Sequence, residues 1–151
     1  MNLNATQFKD MHSKLTTEGG FSAHVLTGES PESGSMVSLP NQEKLIPSAE
    51  TTPDHIKEYA TNAKVGNPAH KYIGGWRGAA GGSHDALDVS INVPNFDGPY
   101  RGDTEAISSK RSARKAAMSV ARESNQEAIW DVQRGKEIKN RKFNPNAARA
   151  T

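Results

Sequence analysis

In the stretch Ala86-Leu-Asp-Val-Ser-Ile-Asn-Val93, apolar and polar residues alternate from Leu87 to Val93. Successive side chains of an extended strand point to opposite faces, so Leu87, Val89 and Ile91 share one face and the polar residues share the other. This pattern predicts a strand that is buried on one face and solvated on the other, as in antiparallel sheets. The preceding stretch Tyr72-Ile-Gly-Gly-Trp76 predicts a second strand, and its paired glycines indicate a bulge or a close backbone approach.

The other predicted elements have shorter signals. Helices are predicted at residues 3–15, from Pro53 behind an N-cap at Thr52, and from Asp103 or Thr104 to about Glu123. Further strands are predicted at residues 21–26, 36–39, 128–132 and 136–138. We therefore expect an α+β fold, with an antiparallel sheet of about five or six strands, two or three helices packed on one face and polar terminal arms. The predicted core contains Phe21, Val25, Val37, Leu39, Ile56, Tyr59, Ile73, Trp76, Leu87, Val89, Ile91, Ile107, Val120, Ile129 and Val132.

The composition fits one small domain. The chain has 151 residues, of which 34% are hydrophobic, and it has no cysteine. Disulfides, thiolate metal sites and cysteine nucleophiles are therefore excluded. No apolar run reaches the roughly 18 residues that predict a membrane span. We expect an N-terminal arm or helix over residues 1–19, a single α+β domain over 20–138 and a basic C-terminal arm over 139–151.

The residue patterns of catalysis and metal binding are weak in this chain. There is no Gly-x-Ser-x-Gly elbow, and the glycine pairs do not match phosphate-binding spacings. His84, Asp85 and Asp88 are close in sequence, with His70 upstream, but residues three positions apart on a strand point to opposite faces. A paired-carboxylate site stays open, because such pairs form in space rather than in sequence. We expect no catalytic, cofactor or metal site.

The positive charge is concentrated in the last third of the chain. Residues 1–100 carry 7 Lys and Arg against 11 Asp and Glu, whereas residues 101–151 carry 12 against 6. The basic side of the last predicted helix, a candidate face for an anionic partner, contains Lys110, Arg111, Arg114 and Lys115. This pattern is more often that of a solvated helix face followed by a basic tail, because basic helices are common. Base stacking needs exposed aromatic residues, and Trp130 lies in an apolar strand that predicts burial in the core.

Three segments, in chain order, resemble a family of small uncharacterised proteins of phages, mainly actinobacterial phages, and of other mobile elements. The first runs from Gly20-Phe21 through Thr27-Gly-Glu-Ser-Pro31 to Met36-Val-Ser-Leu-Pro40, the second is Tyr72-Ile-Gly-Gly-Trp76 with Leu87-Asp-Val-Ser90, and the third is residues 122–126 with Ala128-Ile-Trp-Asp-Val132. Together they cover most of residues 20–138. Residues 77–85 are richer in Gly and Ala than the family pattern, and residues 139–151 extend beyond it. The resemblance implies a phage-type protein and transfers no activity.

We therefore expect a non-enzymatic phage structural protein, a minor capsid or decoration-type protein that binds the virion surface. Its partner would be a capsid or other virion protein, including its own symmetry copies, and its location would be the virion after assembly from the host cytoplasm. The C-terminal arm would dock there through one apolar anchor and four cations, namely Phe143, Lys139, Arg141, Lys142 and Arg149. The alternative is a basic accessory protein that binds nucleic acid in the host. No membrane partner is expected.

Overall fold

The computed structural model describes residues 3–39, 42–93, 110–123, 125–132 and 134–144. The helices are α1 (Ala5–Glu18), α2 (Pro53–Asn62), the single turn α3 (Ala79–Gly82) and α4 (Lys110–Glu123). The strands are β1 (Gly20–His24), β2 (Ser35–Ser38), β3 (Lys44–Pro47), β4 (Lys71–Gly78), β5 (His84–Val93), β6 (Ala128–Asp131) and β7 (Lys136–Lys139). No helix among these residues is both long and apolar enough to cross a membrane.

The seven strands form one antiparallel sheet in the order β1-β4-β5-β2-β6-β7, with β3 paired to β5. The predicted α+β fold with an antiparallel sheet is confirmed. The sheet has more strands than the expected five or six, because β3 forms from the four residues Lys44–Pro47. Its two apolar residues, Leu45 and Ile46, are too few to show a period.

The chain forms two compact units, and the boundary between them falls within β5. The first contains the described residues of 1–30 and 42–90, and the second contains those of 31–41 and 91–151. In the first unit α1 packs against α2 and β1. Phe8, Met11 and Leu15 of α1 are buried, so residues 5–18 are part of a core rather than a polar arm.

Local caps explain where the first two long helices begin. Asn4 and Gln7 form a reciprocal capping box at the start of α1. Thr52 accepts a hydrogen bond from the backbone N–H of His55, and Pro53 occupies the first turn of α2, which confirms the predicted helix start.

The glycine pair of β4 allows two close contacts. Gly75 lies opposite Phe21 in the β1–β4 ladder, and a Cβ atom at Gly75 would collide with the Phe21 ring. A Cβ atom at Gly74 would collide with the carboxylate of Asp88. The predicted close approach is confirmed at both positions.

One face of β5 differs from the sequence prediction. Asp88 and Ser90, expected to be solvated, are each only 6% exposed. Ser90 Oγ donates to Asp88 Oδ1 at 3.1 Å, and the missing side chain of Gly74 leaves room for that carboxylate against β4. The solvated-face prediction is therefore wrong for these two residues, because a polar pair lies over a glycine in the middle of a sheet.

In the second unit, α4 packs against β2 and β6. The central hydrophobic cluster of this unit consists of Val37, Ala117, Ala121 and Ile129. The partly buried residues packed against it are Ile91, Val93, Met118, Val120 and Ile138. The predicted core is buried at nine positions, namely Phe21, Val25, Val37, Ile56, Tyr59, Ile73, Leu87, Val89 and Ile129. The predicted core residues that are only half-buried are Leu39, Trp76, Ile91, Val120 and Val132, and Ile107 lies outside the described residues.

Candidate interaction surface

The hairpin of β6 and β7 carries the clearest exposed aromatic residue. Ile129 lies opposite Ile138 and Trp130 lies opposite Glu137, in an antiparallel register. Ile129 is buried, whereas Trp130, on the other face of β6, is 46% exposed. The prediction that Trp130 belongs to the core is wrong, since strand alternation places it opposite to the face that α4 covers.

The segment after β7 is fixed by Asn140, which is 4% exposed. Its side-chain amide donates to the carbonyl of Gln126 at 2.7 Å, and its backbone N–H donates to the carbonyl of Glu127 at 2.8 Å. Its Oδ1 accepts from the backbone N–H of Lys142 at 3.0 Å, and its carbonyl accepts from the N–H of Phe143 at 3.0 Å. One buried amide therefore holds a tight turn against the unit.

A second asparagine pair extends this anchoring. Asn125 Nδ2 donates to the carbonyl of Asn144 at 3.0 Å, and Asn125 Oδ1 accepts from the N–H of Asn144 at 2.9 Å. The hydrogen-bonded structure thus continues to Asn144, six residues beyond the boundary at residue 138 drawn from the sequence. Lys139 is the last residue of β7 rather than the first residue of a free arm.

The predicted partner-binding residues have different environments. Lys139 lies 2.6 Å from Glu137 Oε1 and 3.8 Å from Glu127 Oε1, and the hydrogen bond with Glu137 raises the pKa of its ammonium group. Arg141 and Lys142 are exposed on the turn that Asn140 holds, and Phe143 is half-buried. Arg149 lies outside the described residues. The structure brings Arg141 and Lys142 together at one place and gives Lys139 acidic neighbours.

The other predicted cations belong to α4. Lys110, Arg111, Arg114 and Lys115 lie in its first two turns, and their side chains are outside the described part of the structure. Ala117 and Ala121 lie on the face of α4 that contacts the central cluster.

The first unit contains a polar cluster around Asp85 that the sequence patterns did not predict. Asp85 is fully buried, and its Oδ1 accepts from Arg77 Nε and from Ser48 Oγ, both at 2.9 Å. Arg77 Nη2 donates to Asp85 Oδ2 at 3.1 Å. Desolvation raises the pKa of Asp85, but the hydrogen bonds from Arg77 and Ser48 and the positive charge of Arg77 act against it, and the net pKa is lowered.

This cluster connects three parts of the first unit. His12 of α1 forms a hydrogen bond between its Nε2 and the carbonyl oxygen of Thr51 at 2.9 Å. Asp85 and Arg77 belong to neighbouring strands of the sheet, and the Arg77 side chain is about one-third exposed. Every oxygen of the carboxylate has a donor within the unit, and removal of Arg77 would leave the buried Asp85 charge without its ionic partner.

His84, Asp85 and Asp88, which are close in sequence, do not form one metal-binding cluster in the described residues. Asp85 accepts hydrogen bonds from Arg77, and Asp88 accepts one from Ser90. His84 Nδ1 lies 2.7 Å from Ser83 Oγ. Across the described ranges, no three His, Asp or Glu side chains are placed to hold a metal ion together.

Comparison of the chain with protein-family models, with curated proteins and with solved structures gave no match.

Proposed function

We propose that the chain is a non-enzymatic phage structural protein, a minor capsid or decoration-type protein that binds a virion surface. The phage assignment depends on the sequence resemblance over residues 20–138. The observation that carries the binding role is the turn at Arg141 and Lys142, which presents two exposed cations from a fixed backbone.

A fixed turn suits binding, because the backbone entropy that a free arm would lose on docking has already been lost on folding. The half-buried Phe143 stays close to its own unit, so the proposed contact is mainly electrostatic and meets acidic groups on the partner. Arg149 would extend the same contact. The protein would occur in the host cytoplasm before assembly and in the virion afterwards.

Quantitative mass spectrometry of purified virions tests this function. We expect the protein in many copies per particle, in a fixed ratio to the major capsid protein. Its absence from virions, with the protein present in the infected host, would contradict the proposal.

The exposed indole of Trp130 favours a second candidate function, binding of single-stranded nucleic acid by stacking. Titration of the Trp76→Phe variant with a single-stranded oligonucleotide would then quench the remaining Trp130 fluorescence, with a steep dependence on salt. Unchanged fluorescence at low salt would exclude this candidate.

A further inference from the structure

Along β7, the backbone N–H and carbonyl groups of alternate residues point toward β6 or toward the outer edge of the sheet. β7 pairs with β6 and is the last strand in the order of the described sheet. The N–H of Asn140 donates to the carbonyl of Glu127, which marks these two residues as a hydrogen-bonded pair of the ladder. Because such pairs alternate with non-hydrogen-bonded pairs, Ile138 and Lys136 direct their backbone groups toward β6.

The backbone groups of Glu137 and Lys139 therefore point away from β6. Among the described residues, the backbone hydrogen bonds of turns, loops and caps include none to their N–H or carbonyl groups. These two residues offer two donors and two acceptors at an open edge, which is the arrangement that pairs with an additional strand.

We propose that a second copy of this chain binds this edge, with the two β7 strands antiparallel about a two-fold axis at Ile138. Glu137 then lies opposite the partner's Lys139, and Lys139 lies opposite the partner's Glu137. Each of these pairs exchanges two backbone hydrogen bonds, so the N–H and carbonyl groups of Glu137 and Lys139 are all hydrogen-bonded to the partner. The dimer is a property of the purified chain and goes beyond the virion-binding function.

Charge selects this register over its neighbours. A shift by two residues in one direction places Glu137 opposite the partner's Glu137. A shift in the other direction places Lys139 opposite the partner's Lys139, and Glu137 opposite position 141, which lies in the turn beyond the end of β7. Opposite charges across a strand pair stabilise it and like charges destabilise it. The central register is the one in which both cross-strand pairs join a carboxylate to an ammonium group.

The ion pair already present within the strand is compatible with this arrangement. Lys139 Nζ lies 2.6 Å from Glu137 Oε1 in the single chain, and the two side chains are 65% and 48% exposed. In the dimer the two acidic and two basic groups form an alternating quartet across the axis. Half-buried Ile138 meets its own copy on the opposite face, beside the cluster that contains Ile129.

A contact through so few residues buries less surface than a standard stable interface. We therefore expect a weak dimer, seen at high micromolar chain concentration and weakened by salt. On a virion surface, neighbouring attachment would raise the effective concentration and favour the same pairing.

Sedimentation equilibrium of the full chain tests the proposal with charge-swap variants. Glu137→Lys places lysine opposite lysine at both pairs, and Lys139→Glu places glutamate opposite glutamate. We expect each variant to raise the dissociation constant of the dimer at least about tenfold. The control Lys136→Glu makes the same charge change as Lys139→Glu on a residue whose backbone faces β6, and it should leave the dissociation constant unchanged.

Mixing the two variants separates pairing from a loss of folding. In an equimolar mixture, an edge with two lysines meets an edge with two glutamates, so a heterodimer should form at least as tightly as the wild-type dimer. The double variant Glu137→Lys/Lys139→Glu should also restore the dimer. The proposal is overturned if the wild-type chain stays monomeric at its highest soluble concentration, if the single variants dimerise like wild type, or if the mixture does not associate.

Discussion

Replacing Arg77 by methionine removes one partner of a buried ion pair and leaves the other in place. Two charge-assisted hydrogen bonds to Asp85, at 2.9 and 3.1 Å, are lost. A hydrogen bond to a charged group contributes about 1.5–3 kcal/mol. Because Arg77 is one-third exposed, solvent screens part of its contribution, and Ser48 Oγ still donates to the carboxylate. We expect Arg77→Met to lower the free energy of unfolding by about 2–3 kcal/mol at pH 7.

The pH dependence identifies the cause of this loss. In the wild-type chain the pKa of folded Asp85 is lowered, so its contribution is present above the pKa of the unfolded chain and is lost as pH falls through the folded pKa. Without Arg77, desolvation favours the protonated carboxyl group and raises the pKa of Asp85 in the variant. The difference in unfolding free energy between wild type and variant should therefore shrink as the pH is lowered from 7 to about 3.

Urea unfolding followed by tryptophan fluorescence measures the loss of unfolding free energy in the compact unit that contains Arg77. The background variant Trp130→Phe leaves Trp76 as the reporter, and Trp76 is in the same unit as Arg77. The matched control Lys57→Met removes one exposed positive charge from α2 of that unit and should cost less than about 0.5 kcal/mol. A loss for Arg77→Met no larger than that of the control, or a loss that does not change with pH, would refute the role of the buried pair.

Three further predictions test hydrogen bonding and packing in the two units. Asn140→Ala should lower the free energy of unfolding by about 1–3 kcal/mol, because the carbonyl of the buried Gln126 loses the hydrogen bond from the Asn140 amide, and a neutral result in urea unfolding would show that the turn is not anchored. Gly75→Ala should cost about 1–3 kcal/mol through collision with the Phe21 ring, and part of that loss should return when Phe21→Leu is added; a melting temperature equal to wild type would contradict the close approach. Ile129→Ala should cost about 2–4 kcal/mol and the adjacent Trp130→Ala less than about 1 kcal/mol, whereas equal losses in thermal unfolding would show that both side chains are packed.

The sequence patterns predicted the elements in which alternation extends over many residues or in which a helix has a strong N-cap. Thr52-Pro53 located the start of α2, and alternation located β5, because caps and strand alternation act over a few neighbouring residues. The burial of Asp88 and Ser90 was missed, since it depends on Gly74 of a different strand. The exposure of Trp130 was missed because periodicity does not show which face a helix covers.

The candidate surface was predictable only in part. Charge counting identified Arg141 and Lys142, but the anchoring of their turn depends on Asn140 and its contacts with residues far along the chain. The Asp85 cluster had one sequence signal. Asp85 lies two residues before Leu87 and four before Val89, so the alternation places all three on the same face of the strand. A charged residue on an apolar face indicates a buried partner.

Binding of the purified chain to virions that lack it tests the proposed function most directly. In a co-sedimentation assay, the wild-type protein should bind saturably at a fixed number of copies per particle. The variant Arg141→Glu/Lys142→Glu should bind at least about tenfold more weakly, while Lys9→Glu/Lys57→Glu, with the same change in net charge on exposed positions of α1 and α2, should bind like wild type. No saturable binding of the wild-type protein, or equal binding of both double variants, would contradict the account.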